Sequence, residues 1–244
     1  VTLLENEVIA ELFESNYTKE DNAAFLKLID SYSSGRNDNA VRDMVLKIYH
    51  EAESASWPLK WIEGLSQIYH IEDEEELLQT DMIKNITDYV LMMMGEYRDQ
   101  LAALTERAKS VAGLEKYVMT LENDKALMES LDDIRDFVAL KEFFDKFKMP
   151  AIAAIRGFDG DEVAKESIKN ARNAIKDGIN SIIKAYFTVD IPELTEQIKR
   201  QADIVDELVR LSSEYNRLME VRKREKRIAT FSDIEHFALR ILVD

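Results

Sequence analysis

Residues 86–111 read ITDYVLMMMGEYRDQLAALTERAKSV, and Ile86, Val90, Met93, Tyr97, Leu101, Leu104, Ala108 and Val111 recur at steps of three and four. That is the spacing of a helix seam facing another helix. The triplet Met92, Met93 and Met94 suits adaptable core filling better than a promiscuous binding surface. Outward from this stretch the same logic holds. Only 7 Gly and 3 Pro interrupt 244 residues, and apolar residues make up 46%. Few breakers and many straight-chain residues predict an all-α fold, an elongated multi-helix bundle with several long antiparallel helices.

Upstream, four short helices are expected. Leu4, Val8, Ile9, Leu12 and Phe13 mark the buried face of the first. Phe25, Leu26, Leu28 and Ile29 mark the second, which ends near Gly35, a residue suited to a left-handed C-cap. Asp38 or Asn39 caps a third, with Val41, Met44, Val45, Ile48 and Tyr49 inward, and Pro58 opens the fourth at the tolerated first-turn position. Downstream, a helix is expected over Leu131 to Phe147. Residues 148–160, with Pro150, Gly157 and Gly160, read as a flexible crossing or exposed loop. Helices follow from Glu162 to Phe187 and from Glu193 towards Arg227. The last helix starts behind Ser232 and Glu235, which have the form of a capping box. The pattern divides the chain into a compact acidic part (1–70), a long-helix bundle (71–230) and a closing helix (231–244).

The chemistry is narrow. Zero cysteines exclude a disulfide framework and a cysteine nucleophile, and three scattered histidines make a metal site improbable. There is no phosphate loop, no dinucleotide fingerprint and no zinc-protease motif, so no catalytic or metal residue is assigned. No signal peptide or membrane span is visible, which reads as a cytoplasmic chain without a membrane partner. The start at Val1 reads as a piece of something longer.

The net charge of −16 opposes generic nucleic-acid binding. Residues 1–150 hold 16 Lys and Arg against 31 Asp and Glu, however, while residues 151–244 hold 16 against 17. One row stands out. Lys165, Lys169, Arg172 and Lys176 fall within about 60° of one another on a helical wheel. They are the first candidates for a phosphate backbone, with Arg222, Lys223, Arg224, Lys226 and Arg227 second.

Two stretches carry a resemblance. Leu211 to Arg217, a basic helix, and then Thr230-Phe231-Ser232-Asp233-Ile234-Glu235-His236-Phe237-Ala238-Leu239-Arg240-Ile241-Leu242 closely resemble the AddA (RexA) helicase–nuclease large subunits. They look more loosely like superfamily-one helicases of the UvrD and PcrA type. Leu28 to Asp38, followed by Val45 to Tyr49 and Trp57 to Ile62, is similar to the same family. Between residues 70 and 145 only helical periodicity is recognisable. The resemblance implies a fragment covering the inserted 1B accessory subdomain of an ATP-dependent DNA helicase and exonuclease of double-strand break repair. It implies ATP and Mg in the parent but no cofactor in this fragment. The partners it implies are double-stranded DNA, the rest of the motor and a second, AddB- or RexB-type subunit. A helical module that docks the second subunit or the motor without touching DNA is the alternative. If the closing helix rejoins a motor, Phe231, Ile234, Ile241 and Leu242 should be poorly buried within this chain.

Overall fold

The computed structural model describes residues 2–32 and 37–243. Among them are twelve α-helices, one 3-10 turn (Gln67–Tyr69) and no strand. Gly35 and its expected capping role lie outside the described residues. The chain divides into two compact units, residues 1–72 with 195–244, and residues 73–194.

The first unit is built on α1 (Thr2–Thr18), α2 (Ala23–Tyr32), α3 (Asn39–Ala52), α4 (Pro58–Gly64), α11 (Ala202–Lys226) and α12 (Phe231–Val243). Leu12, Phe13, Phe25, Leu28, Val41 and Val45 form one buried cluster with Leu211, Tyr215 and Met219 of α11. This corrects the expected division, because residues 195–230 do not group with the long-helix bundle. The four short helices leave an apolar centre, and α11 fills it. Burying each such side chain contributes on the order of 1.5–3 kcal/mol. Tyr215 lies edge-on to Tyr49 at 5.1 Å between ring centroids and donates to the Glu5 carbonyl at 3.3 Å.

The second unit contains α5 (Glu74–Gln79), α6 (Asp81–Lys109), α7 (Glu115–Glu129), α8 (Phe137–Lys146) and α9 (Glu162–Tyr186). The 29-residue α6 is the long helix foreseen at 86–111, and α7 and α9 both pack on it. Its buried line is Ile83, Thr87, Val90, Met94, Leu101, Thr105 and Ala108, so that of the expected seam only Val90, Leu101 and Ala108 are buried and Met92 faces outward. Gly178 of α9 sits close against Tyr97 of α6, since a Cβ there would collide with the Tyr97 hydroxyl. Gly113 ends the α6–α7 turn with a φ of 83°, a conformation that other residues adopt at a cost. The helix expected over 131–147 is shorter, because Asp136 caps α8 by accepting from the Ala139 amide at 2.9 Å. The expected 193–227 helix is two, α10 (Ile191–Lys199) and α11.

Both units are acidic. The first holds 16 Lys and Arg against 23 Asp and Glu, the second 16 against 25. The imbalance seen between the two parts of the sequence therefore does not give the fold one acidic and one neutral unit.

Candidate interaction faces on α9 and α12

On α9, Asp161 accepts from the Ala164 amide and fixes the helix start. Ile168, Ile175, Ile179 and Ile182 bury one face. Lys165 and Lys169 each reach back one turn, to Glu162 at 3.0 Å and Glu166 at 3.1 Å. The Glu166 carboxylate beside Lys169, through its hydrogen bond and charge, raises the lysine pKa. Lys165 also lies 4.7 Å above the Phe158 ring. Lys176 is half-buried and has no acidic partner among the described residues.

Arg172 departs from the expected row. Its side chain is 0% exposed. Nε donates to Asp124 at 2.6 Å, while Nη2 donates to Asp124 at 3.1 Å and to the Pro150 carbonyl at 2.8 Å. Arg172 cannot meet a phosphate in this arrangement. Its position on the wheel is right, but α7 and the segment after α8 cover it. Their partner groups lie 48 and 22 residues away in sequence.

The second basic group is largely absorbed by the fold. Arg222 forks onto Glu11 at 2.7 Å and holds Glu225 at 2.9 Å, and these two carboxylates push its pKa up. Lys226 pairs with Glu7 at 2.8 Å, and Arg224 reaches Glu220 at 3.9 Å. Arg227 takes the left-handed conformation (φ 54°) and ends α11, with the Ile228 amide donating back to the Lys223 carbonyl at 2.9 Å.

Lys223 is the second correction. It is buried, with Nζ 3.0 Å from Asp233, 3.4 Å from Glu53 and 5.6 Å from the Tyr49 ring centroid. Tyr49 donates to Glu53 at 3.0 Å. Burial first, then the Glu53 charge and hydrogen bond, push the Tyr49 phenol well above its ordinary range. Sequence reasoning missed this node because Glu53 lies 170 residues from Lys223 and no motif links them.

The node fastens α12 by its polar side. Asp233 accepts from the Thr230 amide at 2.8 Å and its own amide donates to the Thr230 hydroxyl at 3.2 Å, so the capping box is Thr230 with Asp233. Ser232, expected in that role, instead donates to the Glu53 carbonyl at 2.8 Å. His236 Nε2 donates to the Ala55 carbonyl at 2.8 Å. A cleft of about 70 Å³ remains between α3, α4, α11 and α12, lined by Tyr49, Pro58, Asn216, Lys223, Ile228 and Phe237 among others. The opposite side of α12 is uncovered. Phe231 is 90% exposed and Ile241 and Leu242 are each 81% exposed, with Ile234 also open. The expected poor burial of this stripe is met, and it goes further: no described residue of α12 is fully buried.

No protein-family model matches the chain. Individual relatives do. The ATP-dependent helicase/nuclease A subunit of Clostridium beijerinckii is 29% identical over 250 residues, covering 99% of this chain and 20% of the relative. Its namesake from Ruminiclostridium cellulolyticum is 29% identical over 248 residues, covering 100% and 20%. That of Geobacillus kaustophilus is 25% identical over 244 residues, covering 99% and 20%.

The resemblance to the AddA helicase–nuclease subunits extends over the whole chain. It includes residues 70–145, where no family wording is legible by eye. The chain spans about a fifth of the length of these AddA-type relatives. Among the described residues no group of three or more His, Asp or Glu is placed to hold a metal, and no helix is long and apolar enough to cross a membrane.

Proposed function

We propose that the chain is an accessory, 1B-type helical domain of an ATP-dependent DNA helicase and exonuclease of double-strand break repair, seated on the rest of its parent through the outer face of α12. In that parent ATP and Mg serve the motor and an AddB- or RexB-type subunit completes the enzyme, while this domain supplies neither cofactor site nor catalytic residue. The outward stripe of α12 carries the reading. A helix held by Ser232, Asp233 and His236 while Phe231, Ile241 and Leu242 face water has its energetic need met by another surface. Four-fifths of the length of the relatives lies outside the matched stretch, and the occupant is drawn from there.

The test replaces Ile234 and Ile241 together by Asp in the chain and in the full-length protein. The chain alone should keep its unfolding midpoint. The full-length protein should lose duplex unwinding by about tenfold or more, the equivalent of about 1.4 kcal/mol of docking energy. Equal destabilisation of the isolated chain would make the stripe part of its own fold, and an unaffected parent would remove α12 as the seat.

A second reading, contact with duplex DNA, is supported by what remains of the α9 row. Lys169 holds one local carboxylate and Lys176 none, while Lys165 adds the Phe158 ring to its pair with Glu162. An exposed one-turn pair such as Lys169 with Glu166 yields readily to phosphate. Such contacts are sequence-independent. Changing all three lysines to Gln in the full-length protein should lower the slope of log affinity against log salt by about 0.9 per lost phosphate contact. An unchanged slope leaves the domain as a docking module that does not touch DNA.

A further inference from the structure

Residues 147–161 join α8 to α9 without helix; Phe147 packs on Phe143 and Phe144 of α8, Asp161 caps α9, and between these ends the segment is fastened at two places. Near the start, Met149 is buried and the Pro150 carbonyl accepts from Arg172, the same guanidinium that forks onto Asp124 of α7. Near the end, Phe158 seats against two glycines and lies under Lys165. A Cβ at Gly160 would come within 2.7 Å of its ring and one at Gly113 within 3.2 Å. Between these points residues 151–157 make no hydrogen bond to another element, and their side chains are exposed or half-buried.

The first fastening is polar where an apolar one would be simpler. A buried ion pair gains little over an apolar pair of the same volume, yet removing one partner leaves an unpaired charge behind. Arg172 also keeps Nη1 buried without a protein partner. Both charged groups gain hydration on exposure, so a clasp of this kind can part and re-form without disturbing the leucine and isoleucine contacts beneath. Local opening of this type draws on segments with few buried contacts, and 151–157 is such a segment.

We propose that residues 148–160 form a strap that opens as one piece, with Arg172 as its latch, while α6, α7 and α9 stay packed. Opening withdraws Met149 and the Pro150 carbonyl together. It returns Arg172 to the helix face that it shares, by position, with Lys165, Lys169 and Lys176. The proposal stands apart from the docking of α12 and does not rest on it.

The chain contains its own reporters. Met149 is the buried residue of the strap itself, Met94 and Met128 are buried among the helices, and Met92 and Met119 are exposed. Oxidation by dilute hydrogen peroxide, followed by peptide mass spectrometry, reads the opening of each site separately. In Asp124→Asn and in Arg172→Gln, Met149 should oxidise at least about tenfold faster than in the native chain, since a buried pair has lost one partner. Met94 and Met128 should keep their native rates. In Phe158→Ala, which cuts the other fastening, Met149 should quicken by a smaller factor.

Two results would overturn the strap. If Met149 keeps its native rate in all three variants, Arg172 is no latch. If Met94 and Met128 quicken in step with Met149, Arg172 holds the whole unit together and there is no separate strap.

Discussion

Two basic helices, α9 and α11, look alike in sequence and meet opposite fates. On α11 three of the cations are tied to distant carboxylates, Arg222 to Glu11, Lys226 to Glu7 and Lys223 to Glu53, across 170 to 219 residues of chain, while Arg224 reaches only Glu220 one turn back. On α9, Lys169 holds only the carboxylate one turn behind it, Lys165 adds the Phe158 ring to its own one-turn pair, and Arg172 is taken into the interior. A long-range pair joins elements that the fold must bring together, and losing it disturbs their packing. A one-turn pair can be exchanged for another anion at little cost. The word "basic" in a sequence therefore covers two kinds of residue, which differ in what stands opposite.

The contrast can be broken most severely at Lys223. Lys223→Met in the isolated chain should lower unfolding free energy by about 3 kcal/mol, the lower end for a broken buried pair, because Glu53 and Asp233 keep some contact with solvent. Urea denaturation measures it, and an unchanged midpoint would show that the node is incidental. Acid should act on the same place. Burial alone would raise the Asp233 pKa, but hydrogen bonds from the Thr230 amide and Lys223 outweigh it and hold the carboxyl below its ordinary value. A carboxyl with a depressed folded pKa contributes stability that is complete above about pH 4, the ordinary aspartate value, and lost as pH falls through the folded one. Asp233→Asn should thus show a flatter stability profile below about pH 4 than the native chain, by urea midpoints taken across the acid range. The smallest effect is expected on α9. Lys169→Gln should leave thermal stability of the isolated chain unchanged, and a measurable fall would mean that its pair with Glu166 is structural after all.

Helix content, the long helix through 86–111, the Pro58 start and the open segment at 148–160 could all be read from spacing and breakers alone. The apolar stripe of α12 could be read the same way, but its exposure could not: spacing alone would bury Phe231, Ile234, Ile241 and Leu242, and only the family resemblance pointed outward. What escaped was whatever depends on a partner far away in sequence. Arg172 stands in register with three lysines, and nothing near it announces Asp124. The capping box slipped by two residues because Thr230 with Asp233 and Ser232 with Glu235 both satisfy the pattern. Asp233 also meets Lys223, a contact that no local rule contains. The break between α10 and α11, at Arg200 and Gln201, has neither Gly nor Pro to mark it.

The inverted seating of α12 changes what a solubilising substitution means. On most helices an outward Glu is neutral and an inward one is ruinous. Here, a chain carrying Ile241→Glu should keep its stability within about 0.5 kcal/mol and remain monomeric at higher concentration than its parent sequence, by sedimentation. If α12 seats the domain as proposed, the same change selected for good behaviour in the test tube would remove an anchor. Screens on the isolated chain would then reward the variants that dock worst.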